Sequence, residues 1–227
     1  MLMARDNSPK ERQRKQLERQ MARRASYDRI LIISEGSKTE PNYFKEIRTT
    51  CRLHTANIVV HPSGFGTEPI QIVQYARELF EKGAPHKRIW PRAFERVYVV
   101  FDRDDHDSYF EALQVVASLD GKLRNDNRQP VLFQAIASVP NFEIWLLLHF
   151  EDIQAPILRN DVIHRLKKYI PDYEKGICNA FERTRNQLSF AIHRAKRLAR
   201  KHNAHTAPEP YTAIFDLVEL LINLRQG

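Results

Sequence analysis

Cysteine is scarce in this chain: Cys51 and Cys178 are the only two among 227 residues. Two cysteines build neither a disulfide framework nor a cysteine-rich zinc site, and such usage fits a reducing compartment. Long apolar runs are missing too. The longest, residues 144–148, spans five residues, against the ~20 a membrane helix needs. No secretory signal pattern follows Met1, where the first thirty residues are basic and polar. A soluble, cytoplasmic protein with no membrane partner is expected. The nine histidines lack metal-ligand spacing, and no Ser-His-Asp or Cys-His pattern stands out. Gly36-Ser37-Lys38-Thr39 is not a nucleotide-binding P-loop. Its lysine does not follow a glycine, and Leu31 stands where the first glycine belongs.

What the chain does have is uneven positive charge. The formal net charge is +8, of which residues 1–26 carry +5, residues 27–150 carry −1 and residues 151–227 carry +4. A near-neutral middle thus lies between two basic ends, a distribution suited to a phosphate backbone or to a plain solvated surface. Residues 1–26 have no apolar stripe and read as a basic, flexible arm. Residues 179–202 read as one amphipathic helix. Arg183, Arg185, Arg194, Lys196, Arg197, Arg200 and Lys201 stand against Glu182 alone. We read this basic stripe as a nucleic-acid contact surface, with Phe181 and Phe190 as core residues.

The middle alternates strands and helices. Short apolar runs at 30–34, 57–61, 96–101 and 131–139 suit strands buried on both faces. Between them lie helical patterns. One is capped by Thr39 with Pro41 just inside, one is capped by Thr67 with Pro69 in its first turn, and one carries Phe110, Leu113 and Val116. Asp105 and Asp107 suit the cap of that third helix. A short buried helix over 141–150 follows the fourth strand, and 211–224 is a last amphipathic helix entered through a Pro-rich loop. The alternation predicts an α/β fold, a parallel sheet flanked by helices, with a helical C-terminal extension. It divides into the arm at 1–26, the sheet domain at 27–150 and a helical part at 151–227 packed on the same fold.

In such sheets, functional loops leave the carboxyl ends of the strands. Glu35 follows the first strand, Asp102 and Asp104 follow the third as a D-x-D, and Glu143 follows the fourth. Carboxylates gathered at one edge repel one another unless a cation neutralises them, and hard oxygen donors favour Mg²⁺ or Mn²⁺. The competing reading is that such residues cap helices and hold turns. Glu143 sits among Phe142, Ile144 and Trp145, where an unpaired carboxylate is costly, so a cation or arginine partner is expected. Lys38 suits a phosphate contact or an ordinary surface lysine. The Gly64–Gly66 loop suits backbone contacts to phosphate or a simple turn. His106, close behind the D-x-D, suits a substrate contact or, the reading we favour, helix-entry polarity, and His149 reads as a core histidine.

Four segments together, ILIISEGSKTEPNYF, VYVVFDRDDH, SVPNFEIWLLLHF and NAHTAPEPYTAIFDLVELL, resemble the RloB family over residues 28–225. That family carries a Toprim-like domain and occurs beside restriction and antiphage-defence genes. Glu35, Asp102 and Asp104 match the Toprim pattern. Glu143 falls in the family's FE-x-W segment, and Asn141 replaces a residue that is often small or cysteine. The resemblance implies Mg²⁺- or Mn²⁺-dependent phosphodiester hydrolysis of DNA or transfer RNA. Glu35, Asp102 and Asp104 would hold metal, with Glu143 completing the catalytic set. It also implies an ATPase partner of the RloA-like kind. A non-catalytic Toprim-like binding module is the alternative. Primer synthesis fits less well, because neither a zinc-binding cysteine cluster nor a nucleotide loop is recognisable.

Overall fold

The computed structural model describes residues 27–55, 57–104, 106–205 and 210–224. The basic arm, Asp105 and most of the Pro-rich loop lie outside the described residues. A five-stranded sheet has the order β2-β1-β3-β4-β5, from β1 (Ile30–Ser34), β2 (Ile58–Pro62), β3 (Arg96–Asp102), β4 (Leu132–Val139) and β5 (Tyr211–Thr212). The first four strands are parallel, as expected. The fifth runs antiparallel to β4, pairing Thr212 with Ser138 and Tyr211 with Val139. The helical pattern over 211–224 hides this strand. Its first two residues lie beside β4, and only Ile214–Asn223 forms a helix.

Both sheet faces are covered, which explains why the strands read as unbroken apolar runs rather than alternating ones. On one face Ile30, Ile32, Tyr98 and Val100 pack with Tyr43, Phe44 and Ile47 of α1 (Thr39–Thr50). The same core takes in Trp145 and Leu147 of α4 (Glu143–Leu147) and Val162 and Leu166 of α5 (Arg159–Leu166). It extends to Phe181 of α6 (Ala180–Thr184), Ala191 and Ala195 of α7 (Leu188–Ala199), and Leu217 and Leu221 of α8 (Ile214–Asn223). On the other face Leu31, Ile33, Val97 and Val99 pack with α2 (Pro69–Lys82) and α3 (Tyr109–Leu119).

The helix starts differ from their sequence signals. Lys38 sits at the N-cap of α1, because the Thr39 hydroxyl instead accepts the Gly176 N–H at 2.7 Å. Glu68, not Thr67, precedes α2. Ser108, not Asp107, precedes α3, and its hydroxyl donates to Glu68 at 2.7 Å. The single helix read over 179–202 is broken by a 3₁₀ turn at Arg185–Gln187. Thr184 adjoins the break and donates its hydroxyl back to the Ala180 carbonyl at 2.8 Å, a bond that bends helices. α5 has no counterpart in the sequence reading. His149 is buried as read, with Nδ1 3.0 Å from the Trp145 carbonyl, and burial pushes its pKa down to about 4. Among the described residues, no helix is long and apolar enough to cross a membrane.

Candidate metal centre

Parallel pairing brings the carboxyl ends of β1 and β3 together, with Ser34 opposite Val100. The Glu35 N–H extends that ladder to the Val100 carbonyl at 2.9 Å. Its carboxylate then turns across the sheet and accepts the backbone N–H of Asp102 at 3.0 Å. Asp102 is the last residue of β3. Beyond it the chain bends sharply, with Asp104 at φ +34°. The loop ends at His106, whose Nε2 lies 3.6 Å from Glu35 Oε1.

Glu35, Asp104 and His106 each bring one donor atom within 4.8 Å of the other two. Asp104 Oδ1 is buried without a hydrogen-bond partner among the described residues. Two carboxylates, one of them with an unmet buried oxygen, and an imidazole form a donor set that fits a divalent cation. His106 is further fixed from behind. Glu68 lies 3.0 Å from its Nδ1, an arrangement that orients Nε2 toward Glu35 and Asp104, as carboxylates do behind ligating histidines.

The expected set was Glu35, Asp102 and Asp104. The structure brings Glu35 and Asp104 together as read, puts His106 in the group and leaves Asp102 out of it. His106 is therefore more than helix-entry polarity, and the short loop after β3 explains why. The loop returns it to the strand ends before α3 begins. Asp102 lies deeper, only 6% exposed. Burial raises its pKa well above the usual carboxylate range, and the charges of Glu40, Glu35 and Glu143 add to the effect. Burial likewise pushes Glu40 up to about 7, with Glu143 and Glu35 adding to it. Burial also raises Glu35, against the opposing pull of the Asp102 N–H and His106.

Glu143 opens α4 and is 2% exposed. Among the described residues its hydrogen-bond partner is a phenol rather than an arginine. The Tyr173 hydroxyl donates to Glu143 Oε1 at 3.0 Å. Burial and the Glu143 charge raise the Tyr173 pKa, which keeps the phenol a donor.

These carboxylates line a cleft of about 770 Å³. Lys38 lines it, as do Arg159 and Lys175. Arg159 begins α5 and donates to Asp104 Oδ2 at 2.7 Å. Sequence reasoning missed Glu40, Glu68, Arg159 and Lys175. Glu40 stands in the first turn of α1 and Glu68 just before the proline that opens α2, positions that no motif marks. Arg159 and Lys175 arrive from the last third of the chain, with no local motif to mark them.

The basic helix residues line another surface, and most are engaged within the molecule. Arg183 forms a two-bond pair with Asp172, at 2.6 and 2.8 Å. Arg185 pairs with Glu182 at 2.9 Å, and Lys196 with Glu219 at 2.7 Å. Arg197 pairs with Asp152. Arg194 donates to the Leu148 carbonyl at 2.8 Å, and Lys201 to Gln154 at 2.9 Å. Arg200 is exposed. Phe181 is core as expected. Phe190 is not: it is 59% exposed, with the Arg194 guanidinium 5.6 Å from its ring centroid.

No curated protein and no solved structure matches the chain. The profile of one family, described as RloB-like protein, matches residues 30–221. That span runs from β1 into α8 and holds every residue of the cleft, so the chain belongs to the RloB-like protein family.

Proposed function

We propose that this protein is a divalent-metal-dependent nuclease of the Toprim type, hydrolysing phosphodiester bonds in nucleic acid as an antiphage effector. The observation that carries the reading is the meeting of Glu35, Asp104 and His106 at the carboxyl ends of β1 and β3. Glu35 and Asp104 oxygens and His106 Nε2 would hold the cation, either Mg²⁺ or Mn²⁺. The imidazole donor favours Mn²⁺. Such an ion activates water and stabilises charge on phosphoryl oxygens.

The remaining residues have distinct tasks. Glu68 holds His106 in one tautomer. Asp102 lies buried behind the ligands with its pKa raised, and Tyr173 fixes Glu143. Glu40, with its pKa near 7, takes up or releases a carboxyl proton at working pH. Lys38, Arg159 and Lys175 give the cleft positive charge for phosphates. The family resemblance adds an ATPase partner that controls when activity is released.

A non-catalytic binding module is the second reading, favoured by the Arg159–Asp104 pair, which already satisfies one of the prospective ligand oxygens. Two measurements separate them. Wild type and the Asp104→Asn and His106→Ala variants are melted with and without Mn²⁺. They are then incubated with DNA and transfer RNA in Mg²⁺, Mn²⁺ or EDTA. The nuclease reading expects Mn²⁺ to raise the wild-type Tm but neither variant's, and cleavage only by wild type with metal. Equal cleavage by wild type and Asp104→Asn would overturn the assigned centre. A Tm unmoved by Mn²⁺ in all three would favour the binding module.

A further inference from the structure

The rim of the cleft carries an aromatic side chain that the core does not use. Phe65 is 49% exposed, at the tip of the loop between β2 and α2, and Gly64 and Gly66 on either side of it line the cleft. The ring is backed by Tyr75 of α2, with centroids 4.9 Å apart and planes tilted by 59°. Tyr75 is itself buried. Lys87 fixes it, with Nζ donating to the hydroxyl at 2.5 Å and lying 5.3 Å from the ring centroid. The loop also lies tight on that support. A Cβ at Gly64 would come within 2.9 Å of the Tyr75 ring, so glycine is needed for the close approach. The Phe65 N–H is held by Ser63 Oγ at 3.3 Å.

A single exposed phenyl ring is ordinary by itself, and Phe110 and Phe190 are exposed too. At Phe65 the ring packs at a tilt against a buried, anchored tyrosine, and its loop flanks a cleft lined by Lys38, Arg159 and Lys175. A supported aromatic ring beside clustered cations is the combination that binds unpaired nucleotides. The ring stacks on a base while the cations follow the backbone. In a duplex the bases are already stacked on one another, and their faces are closed to a side chain.

We infer that Phe65 is a base-stacking platform, and that the cleft selects unpaired nucleotides, a single strand or a loop, over duplex. The inference rests on the nucleic-acid reading of the same cleft. Binding is measured by fluorescence anisotropy with the full chain in EDTA, where metal-dependent cleavage is blocked. The probes are a fluorescein-labelled single-stranded oligonucleotide and the duplex formed from it. The basic ends act on both probes but are the same in wild type and variant, so the change in the ratio of affinities on Phe65→Ala reports on the loop at the cleft. Wild type is expected to favour the single strand. Phe65→Ala is expected to lose about tenfold in single-strand affinity with duplex affinity and Tm unchanged, and Phe65→Trp to restore the preference. An unchanged ratio in Phe65→Ala, or a wild type that binds duplex as well as single strand, would overturn the inference while leaving the nuclease reading intact. A wild type that binds neither probe would overturn the nucleic-acid reading itself, and this inference with it.

Discussion

Glu40 shows what the cleft costs in stability. Its carboxyl is buried in the first turn of α1, close enough to Gly36 that a Cβ there would collide with it. Its pKa stands at about 7 against an ordinary 4.5. A raised carboxyl pKa means that the folded state binds a proton the unfolded state has released. The stability this provides is complete below about pH 4.5 and is lost as pH rises through about 7. Metal-free protein should therefore be less stable at pH 8 than at pH 5. Glu40→Gln, which keeps the shape and removes the charge, should gain about 1–3 kcal/mol at pH 8. The gain should vanish near pH 4. Urea unfolding of both proteins at three pH values tests this, and no gain at pH 8 would show that the carboxyl is better solvated than its burial indicates. Asp102→Asn should shift stability in the same sense, since its pKa is raised by the same neighbours. Residues that stabilise a protein on removal are a mark of functional sites, where charge is held against its preference for water.

At the scale of elements, the opposite end of the sheet is built on paired charge. Arg29, just before β1, is 6% exposed at its side chain. It donates to Asp126 through Nη1 at 2.6 Å and to Glu95 through Nε at 2.9 Å. Its backbone N–H also donates to Glu95 at 2.7 Å. One guanidinium thus ties the starts of β1 and β3 to the turn before β4. Arg29→Ala should cost about 2–4 kcal/mol, because it leaves two carboxylates facing each other without their cation. Chemical denaturation measures this, and a loss under about 0.5 kcal/mol, the level of a surface pair, would contradict it.

Elements also show what could be read from the chain and what could not. The four parallel strands were legible because burial on both faces leaves an unbroken apolar signature. Glu35, Asp104 and Glu143 were legible because position after a strand is a local property. β5 was not. Two residues carry no periodicity, and Tyr211–Thr212 pairs with β4 only after the intervening chain has packed. The helix break at Thr184 was hidden for a similar reason, since apolar spacing continues across it. The relative depth of Asp102 and the approach of His106 to Glu35 were not legible, because a D-x-D motif does not state where its loop bends. The turn at Asp104 sets that.

For the whole molecule, charge distribution and charge availability differ. The basic stripe over 179–202 looked uncompensated along the sequence, yet Asp152, Asp172 and Glu219 reach it from other segments. The cleft cations, Lys38, Arg159 and Lys175, are fewer; they are exposed, and they line the cleft together with the carboxylates. Lys175→Ala should therefore weaken nucleic-acid binding more than the paired double change Arg183→Ala with Arg185→Ala. We expect about fivefold for the first and less than about twofold for the second. Removing a cation that neutralises a phosphate should also lower the salt slope by about one. Affinities across a salt series decide the order, and the reverse order would return the interface to the outer helix. A second expectation concerns the chain's length. One hydrophobic core joins Ile30 and Tyr98 to Leu166, Ala195 and Leu217. A chain ending at residue 150 should thus lack cooperative unfolding and bind an exposed-apolar dye. A sharp two-state transition from that fragment would show that the sheet stands alone.

The dependence of the cleft on the last third of the chain also bears on the order of synthesis. Glu35, Glu40, Asp102, Asp104 and Glu143 leave the ribosome first. Arg159, Tyr173 and Lys175 follow, and β5 closes beside β4 only when residues 211–212 have emerged. A nascent chain that has not reached residue 159 therefore holds the carboxylates of its centre without Arg159, Lys175 and the phenol of Tyr173. For a protein proposed to cut nucleic acid, this is a useful sequence of events. The centre is completed only once Arg159, Tyr173 and Lys175 have followed the carboxylates.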